Sequence, residues 1–275
     1  MVISKAHLQL QLSLCLEMLF QNLSFEKRME EAARLGYRSI EFWDWRNKDI
    51  GTITNTAARL GLTVGAMSGN RRNSLIDQPM LPALIGEIEE VIDVARRLDC
   101  RHIMMLTDVL KEDGSAASTS DASKREEYQS NVCEALLQLA KKVEGTGLML
   151  LLEPLNTVLD HPGCFLNGSD VGLRIVQAVN HPQVRLLYDI YHMSMMGEDV
   201  VAEIAQKLPW IGYFHAADVP GRHEPGSGSI PWTQIRKLLE SRAYRGCIGM
   251  ECSASGNDES AARKGLEMFT SPMSA

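Results

Sequence analysis

The chain has 275 residues, a net charge of −7 and the apolar and charged fractions of an ordinary globular protein. This acidic balance argues against a nucleic-acid partner, whose phosphates favour a basic surface. No apolar run approaches the roughly 20 residues that span a bilayer, so we expect no membrane segment. The apolar stretch Leu12–Phe20 is short and interrupted by Glu17, which favours a strand over a signal peptide. Six scattered cysteines without a C-x-x-C pair favour free thiols in a reducing, cytoplasmic compartment.

Short apolar segments alternate with longer amphipathic ones along the chain. The short segments predict strands at Leu10–Leu16, Ser39–Phe42, Leu62–Met67, His102–Leu106, Leu148–Glu153, Arg185–Asp189, Ile211–His215 and Cys247–Glu251. The longer segments predict helices at Phe25–Leu35, Asp49–Leu60, Met80–Leu98, Ser123–Glu144, Asp170–Val179, Asp199–Leu208, Trp232–Ser241 and Asp258–Phe269. Eight such pairs predict an α/β fold, a single (β/α)8 TIM barrel that occupies residues 1–275 as one domain.

A doubly wound open sheet is the alternative fold. It is disfavoured because eight strands are predicted and no G-x-G-x-x-G follows any of them. The polar stretch Glu112–Ser123 predicts a mobile loop rather than a domain linker.

Four consecutive predicted strands end in a residue type that binds metals, namely Glu153, Asp189, His215 and Glu251. Successive members lie about one βα repeat apart, which averages roughly 31 residues in such barrels. In a barrel these side chains would meet at the carboxyl-terminal mouth. Converging carboxylates at the end of apolar strands repel one another, and each buried charge needs a partner. A divalent cation would relieve the repulsion and serve as that partner. Three carboxylates and one imidazole suit Mg²⁺ or Mn²⁺ best, with Co²⁺ and Zn²⁺ as alternatives.

Other polar residues follow the same strands. We expect His192, Arg222 and Glu224 to bind substrate, since they lie just after the sixth and seventh strands. A surface pair between Arg222 and Glu224 is the alternative, and His192 is alternatively a loop histidine with a backbone partner. Weaker candidates are Glu41, which either lines the mouth or forms an internal salt bridge, and Trp43 and Trp45, which either wall a pocket or pack. Asn70 and Asp108 are expected to stabilise loops.

Several segments resemble the hydroxypyruvate isomerase family in the same order along nearly the whole chain. They are LEMLF at Leu16–Phe20, EPLNT at Glu153–Thr157, PGCFLNGS at Pro162–Ser169, YDIYHM at Tyr188–Met193 and AADVPGRHEPGSGSI at Ala216–Ile230. The wider group comprises xylose-isomerase-like barrels, including ketose 3-epimerases, inosose dehydratases and class IV apurinic endonucleases. The resemblance implies that Glu153, Asp189, His215 and Glu251 bind the metal, that Glu153 and Glu251 are also the acid–base pair, and that His192 and Arg222 hold substrate oxygens.

The chain departs from the family pattern at three places. It has His215 where hydroxypyruvate isomerases tend to carry glutamine, which is closer to the ketose epimerases. It has Leu159 and Asp160 where those epimerases carry a further glutamate, and it reads CSASG after Glu251 instead of an aromatic–Lys–Pro continuation. These differences leave the substrate open.

The resulting functional hypothesis is an isomerase, an intramolecular oxidoreductase that converts hydroxypyruvate to 2-hydroxy-3-oxopropanoate (tartronate semialdehyde) through an enediol. Arg222 would hold the carboxylate. A ketose 3-epimerase acting on a free sugar is the first alternative, and a non-catalytic sugar-binding barrel is the remote one. An apurinic endonuclease would need more histidine and glutamate ligands and basic loops. The expected partners are a small hydroxy-carbonyl or sugar substrate and further copies of the chain in a homo-oligomer, with no nucleic acid or membrane.

Overall fold

The computed structural model describes residues 10–271, which form a closed barrel of parallel strands in the order β1 to β8. The strands are β1 Gln11–Cys15, β2 Ser39–Phe42, β3 Thr63–Ser68, β4 His102–Met105, β5 Met149–Leu152, β6 Val184–Asp189, β7 Ile211–Ala216 and β8 Cys247–Met250. Pairing between β1 and β8 closes the barrel. The predicted TIM barrel is therefore confirmed, while the ends of the predicted domain, 1–9 and 272–275, lie outside the described residues.

Helices cover the outside of the barrel. Within the described range they are α1 Phe25–Leu35, α2 Ile50–Leu60, α3 Leu81–Leu98, α4 Arg125–Val143, α5 Ser169–Val179, α6 Ile190–Met195, α7 Val200–Lys207, α8 Trp232–Ser241 and α9 Asp258–Thr270. Local chemistry sets their ends: Asp49 caps α2 by accepting a hydrogen bond from the Thr52 amide, and Gly61 ends it in the left-handed conformation. The short helix α6 was not predicted. No helix of the described chain is both long and apolar enough to cross a bilayer.

Two apolar layers hold the barrel together. The larger layer packs the outward faces of the strands against the helices. A smaller cluster fills the barrel interior and consists of Ala66, Met104, Leu151, Leu187, Tyr213 and Cys247. Because side chains alternate along a strand, the residue two positions further along each strand also points inward. The interior cluster therefore forms the floor on which the mouth of the barrel is built.

Candidate active site

Four donor side chains meet at the carboxyl-terminal mouth. One ligand atom from each of Glu153, Asp189, His215 and Glu251 lies within 4.8 Å of the others, and all four residues are buried. Their positions follow from strand alternation. Glu153, Asp189 and His215 come two residues after the interior residues Leu151, Leu187 and Tyr213, and Glu251 lies four residues after Cys247. The fold thus brings together the four residues that the sequence pattern indicated as metal ligands.

His215 lies at the centre of the cluster. Its Nδ1 atom is 3.0 Å from Glu153 Oε1, 3.5 Å from Glu251 Oε2 and 3.9 Å from Asp189 Oδ2. Burial alone would lower the pKa of His215, but the surrounding carboxylates outweigh it and raise this pKa well above its ordinary value. For Asp189, burial dominates and raises the pKa to about 7. The site is therefore a buried, strongly interacting charge cluster.

The other ring nitrogen of His215 faces Glu41, which is inside the barrel on β2. His215 Nε2 is 3.3 Å from Glu41 Oε1, and the Tyr213 hydroxyl donates a 2.6 Å hydrogen bond to Glu41 Oε2. Glu41 is 1% exposed, so of the two roles expected for it the internal ion pair is the one observed. A carboxylate behind a histidine fixes the orientation of the imidazole and leaves the opposite nitrogen for a metal.

The carboxylate of Glu251 is held from both sides. Trp43 Nε1 donates a 2.6 Å hydrogen bond to Oε1, and Arg222 donates to Oε2. Arg222 Nη2 also lies 3.8 Å from Asp189 Oδ2. Burial opposes ionisation of Glu251, but His215 and Arg222 outweigh it and lower its pKa. Glu251 is therefore ionised, and the guanidinium of Arg222 is engaged with the acidic cluster rather than with Glu224.

His192 belongs to a network that was not predicted. Its backbone amide donates to Asp189 Oδ1 at 2.9 Å, and its Nδ1 lies 2.7 Å from Asn156 Nδ2. Asn156 and the Tyr191 hydroxyl both donate to Asp160 Oδ2, at 2.6 and 2.8 Å. Burial, followed by the charge of Arg222, lowers the pKa of His192 well below its ordinary value. His192 is thus a neutral imidazole whose Nδ1 accepts from Asn156 and whose Nε2–H lies at the cavity, 3.6 Å from Asp189 Oδ2 and 3.4 Å from Arg222 Nη2.

A cavity of about 300 Å³ opens next to the donor cluster, at the lower end of the size range of ligand pockets. Its lining includes Trp43, Glu153, His192, Arg222 and Glu251. His161 also lines it and was not predicted. Its Nδ1 is 2.9 Å from the Gly114 carbonyl oxygen, and burial lowers its pKa, so the neutral ring donates to that carbonyl. Trp43 is therefore a wall of the cavity, whereas Trp45 packs against the core and under the guanidinium of Arg46.

Glu224 is placed away from the cavity, which corrects the expectation that it binds substrate. Its carboxylate accepts hydrogen bonds from the amide and hydroxyl of Ser255, at 2.9 and 2.7 Å, and from Lys264 Nζ at 2.9 Å. Burial opposes ionisation, but these donors outweigh it and lower the pKa of Glu224 to about 2. The side chain therefore ties the loop after β7 to the loop after β8.

The segment Glu112–Ser123, predicted to be a mobile loop, is hydrogen-bonded to the loop after β5. Backbone amides of Ala116 and Ser120 donate to the carbonyl oxygens of Pro162 and Gly163, at 3.0 and 2.9 Å.

Asn70 and Asp108 stabilise loops as expected. Asn70 exchanges two hydrogen bonds with the backbone of Leu106, and Asp108 accepts one from the Phe165 amide at 2.9 Å.

The donor set fits a divalent cation. Oxygen and nitrogen ligands lie at about 2.0 to 2.6 Å from Mg²⁺, Mn²⁺, Ca²⁺ or Zn²⁺, so donors on opposite sides of an ion are separated by up to about 5 Å. The 4.8 Å spread of the four ligand atoms meets this requirement. Glu41 behind His215 supplies the outer partner that metal-binding histidines usually have.

The fold and site together define a class of protein: a parallel eight-stranded barrel with a donor cluster of three carboxylates and one histidine at its carboxyl-terminal mouth. A family model described as xylose isomerase-like TIM barrel matches residues 29–271. The chain belongs to this family.

Individual relatives agree with that assignment. Hydroxypyruvate isomerase of Escherichia coli (strain K12) is 28% identical over 88% of this chain and 93% of the relative. The 2-oxo-tetronate isomerase of Cupriavidus necator is 26% identical over 86% of this chain and 90% of the relative. These likenesses confirm the resemblance to hydroxypyruvate isomerases. A crystal structure described as AP endonuclease, family 2 from Brucella melitensis superposes with a TM-score of 0.83 at 24% identity, covering 91% of this chain and 96% of that one, and establishes likeness of fold alone.

Proposed function

We propose that the chain is an isomerase that converts hydroxypyruvate to 2-hydroxy-3-oxopropanoate with the help of one bound Mg²⁺ or Mn²⁺. The observation that carries this proposal is the convergence of two glutamates, Glu153 and Glu251, on one cation-binding cluster beside a small cavity. A divalent cation held there would polarise a carbonyl and its neighbouring hydroxyl and acidify the C–H bond between them.

The two glutamates would move the proton. One carboxylate takes a proton from C3 of hydroxypyruvate, the C3–H electron pair becomes the C2–C3 double bond, and the C2=O π pair moves onto O2 to give an enediolate. The hydroxyl proton passes from O3 to O2, the O3–H pair becomes the C3=O bond, and the C2–C3 π pair takes a proton at C2 from the other glutamate in its acid form. Proton exchange with water then returns both carboxyl groups to their starting states. Glu251 is suited to this task because Trp43 and Arg222 fix both its oxygens and keep it ionised. Glu153, hydrogen-bonded to His215 Nδ1 at 3.0 Å, faces the same cavity.

His192 and Arg222 would bind substrate oxygens. Neutral His192 offers its Nε2–H at the cavity, and Asn156 fixes the ring. Arg222 packs over the Tyr191 ring, with its guanidinium carbon 5.3 Å from the ring centroid, which holds its donors in place. Since Glu251 and Asp189 compensate the charge of Arg222, we propose that its guanidinium binds the carbonyl and hydroxyl oxygens of the substrate.

A ketose 3-epimerase is the second candidate. His215 supports it, since a histidine at this position resembles the epimerases. The epimerase reaction uses the same proton abstraction but returns the proton to the carbon it came from.

A substrate panel in D₂O separates the two candidates. Purified protein with Mn²⁺ or Mg²⁺ is incubated with hydroxypyruvate or with free ketoses, and NMR follows both product and deuterium incorporation. We expect metal-dependent formation of 2-hydroxy-3-oxopropanoate and deuterium at its C2. Epimerised ketose without reaction of hydroxypyruvate would replace the isomerase by the epimerase. If no substrate exchanged deuterium, both proposals would be wrong.

A further inference from the structure

Two arginines line the cavity, and their surroundings differ. Arg222, whose side chain is 14% exposed, lies against the donor cluster, where Glu251 and Asp189 compensate its charge. Arg71 lies on the loop after β3, is half-buried, and pairs with no carboxylate among residues 10–271. Of the two arginines, one is therefore already engaged and the other is available to a ligand.

The two glutamates of α3 that contact the loop of Arg71 are committed elsewhere. Glu87 of α3 is fully buried and pairs with Arg46 Nη2 at 2.8 Å. Glu90 pairs with Arg72 Nη2, also at 2.8 Å. Arg71 is hydrogen-bonded to Glu87 only through its backbone amide, which donates to Oε1 at 3.0 Å. The side chain of Arg71 therefore remains unneutralised by its own loop.

The same contacts make the loop rigid. Glu87 accepts hydrogen bonds from the amides of Arg71 and Arg72 and, at 2.8 Å, from Asn73 Nδ2. Asn70 is bonded to both the amide and the carbonyl of Leu106, at 3.0 and 2.8 Å. A ligand that binds Arg71 does not need to order this backbone first, which lowers the entropic cost of binding.

The neighbouring part of the rim, formed by the loop after β4, carries mixed charge. Lys111, Glu112 and Asp113 line the cavity from the loop after β4 and are exposed to water, which screens them. Asp113 Oδ1 is further occupied by the amide and hydroxyl of Ser115, at 3.0 and 2.7 Å. These acids therefore weaken, but do not cancel, the attraction of an anion to half-buried Arg71.

The metal donors come from β5 to β8, whereas Arg71 follows β3, on the other half of the barrel mouth. A substrate whose carbonyl and hydroxyl face the donors directs its far end to the β3 side. We infer that Arg71 binds a carboxylate at that end, so that the substrates of this site are hydroxy-keto acids rather than neutral sugars. This inference rests on the proposed isomerase function and moves the carboxylate contact from Arg222 to Arg71.

The test compares Arg71→Gln with Arg72→Gln. The second variant is a matched control, because it removes the same charge from the same loop, but from an arginine that is paired with exposed Glu90. The two substrates are hydroxypyruvate and 1,3-dihydroxyacetone, in which a hydroxymethyl group replaces the carboxylate. A hydrogen-bonded charge of this kind is worth about 10- to 100-fold in binding. We expect the ratio of kcat/KM for hydroxypyruvate to that for dihydroxyacetone to fall by this factor in Arg71→Gln and to keep its wild-type value in Arg72→Gln. Equal ratios in the two variants would overturn the inference.

A binding measurement keeps this inference separate from the proposed reaction. Tartronate, a hydroxy-dicarboxylate without a keto group, is titrated by calorimetry into Mn²⁺-loaded wild type, Arg71→Gln and Arg72→Gln. The dissociation constant is expected to rise about 10- to 100-fold only in Arg71→Gln. If the wild type fails to isomerise hydroxypyruvate yet shows this pattern, the reaction is wrong and the anion site stands. If tartronate does not bind the wild type, or binds all three proteins equally, the anion site is wrong.

Discussion

The two halves of the barrel mouth divide the work of the site. The β5–β8 half supplies every member of the donor cluster, from strand ends packed on the interior floor. The β1–β4 half supplies the indole of Trp43, the loop of Arg71 and, deeper in the barrel, Glu41 behind His215. The candidate metal ligands therefore lie at rigid strand ends of the β5–β8 half, while the β1–β4 half lines the cavity and supports the ligands from behind.

The sharpest way to break this division is Glu251→Gln, which removes one charge from the donor half. We expect kcat for hydroxypyruvate to fall by about 10²- to 10⁴-fold, the usual contribution of a general acid or base, with the fold retained by circular dichroism. Glu112→Gln removes an exposed charge at the rim of the same cavity and should change kcat no more than a few-fold. Equal effects of the two variants would remove Glu251 from the proton transfer.

Glu41→Gln tests whether the other half supports the donors through His215. Loss of a carboxylate behind a metal-binding histidine typically costs about 10- to 100-fold in metal affinity. We expect this loss in a Mn²⁺ titration followed by electron paramagnetic resonance. Tyr213→Phe, which removes only the hydroxyl that donates to Glu41, should have the smaller effect. Unchanged affinity in Glu41→Gln would make the 3.3 Å contact with His215 incidental.

Glu224→Gln tests the reassignment of this residue from substrate binding to structure. Loss of charge-assisted hydrogen bonds to a buried carboxylate should lower the free energy of unfolding by about 1 to 3 kcal/mol, measured by urea denaturation. Glu259→Gln, in exposed ion pairs with Arg34 and Arg263, should lower the free energy of unfolding by less than Glu224→Gln does. A raised KM without loss of stability in Glu224→Gln would restore the original assignment.

The smallest expected effect concerns His102 of β4, in the half without donors. Burial lowers its pKa from the ordinary value of 6.5, so below pH 6.5 the unfolded chain takes up a proton that the folded chain does not. The free energy of unfolding should therefore fall as pH decreases through 6.5, and His102 should contribute nothing to the pH dependence above it. Denaturation of wild type and His102→Gln from about pH 7.5 to about pH 5.5 should show a shallower fall in the variant. Parallel curves would contradict the lowered pKa.

The donor half could be predicted from sequence because its chemistry sits in regular structure. Buried parallel strands read as continuous apolar runs, and a carboxylate or imidazole at the end of each stands out, as Glu153 and Asp189 do. Glu41 was a weaker indication of the same kind, since it is a charged residue inside the apolar strand Ser39–Phe42.

The loops could not be predicted in the same way. Glu224 lies two residues after Arg222, yet the two side chains diverge, because a turned backbone has no fixed period that tells which side chains share a face. Asn156 and His161 were missed for the same reason: their contacts with His192 and Gly114 join loops that follow different strands. Helix α6 was missed because six residues are too few for an amphipathic pattern, although Asp189 caps it by accepting from the His192 amide.

The central claim is that the four strand-end donors hold one divalent cation. Isothermal titration of Mn²⁺ into wild type and Asp189→Asn tests it most directly, because Asp189 belongs to the cluster but has no assigned part in proton transfer. The account predicts one Mn²⁺ per wild-type chain and affinity reduced at least about tenfold in the variant. No binding by the wild type, or equal binding by both proteins, would contradict it.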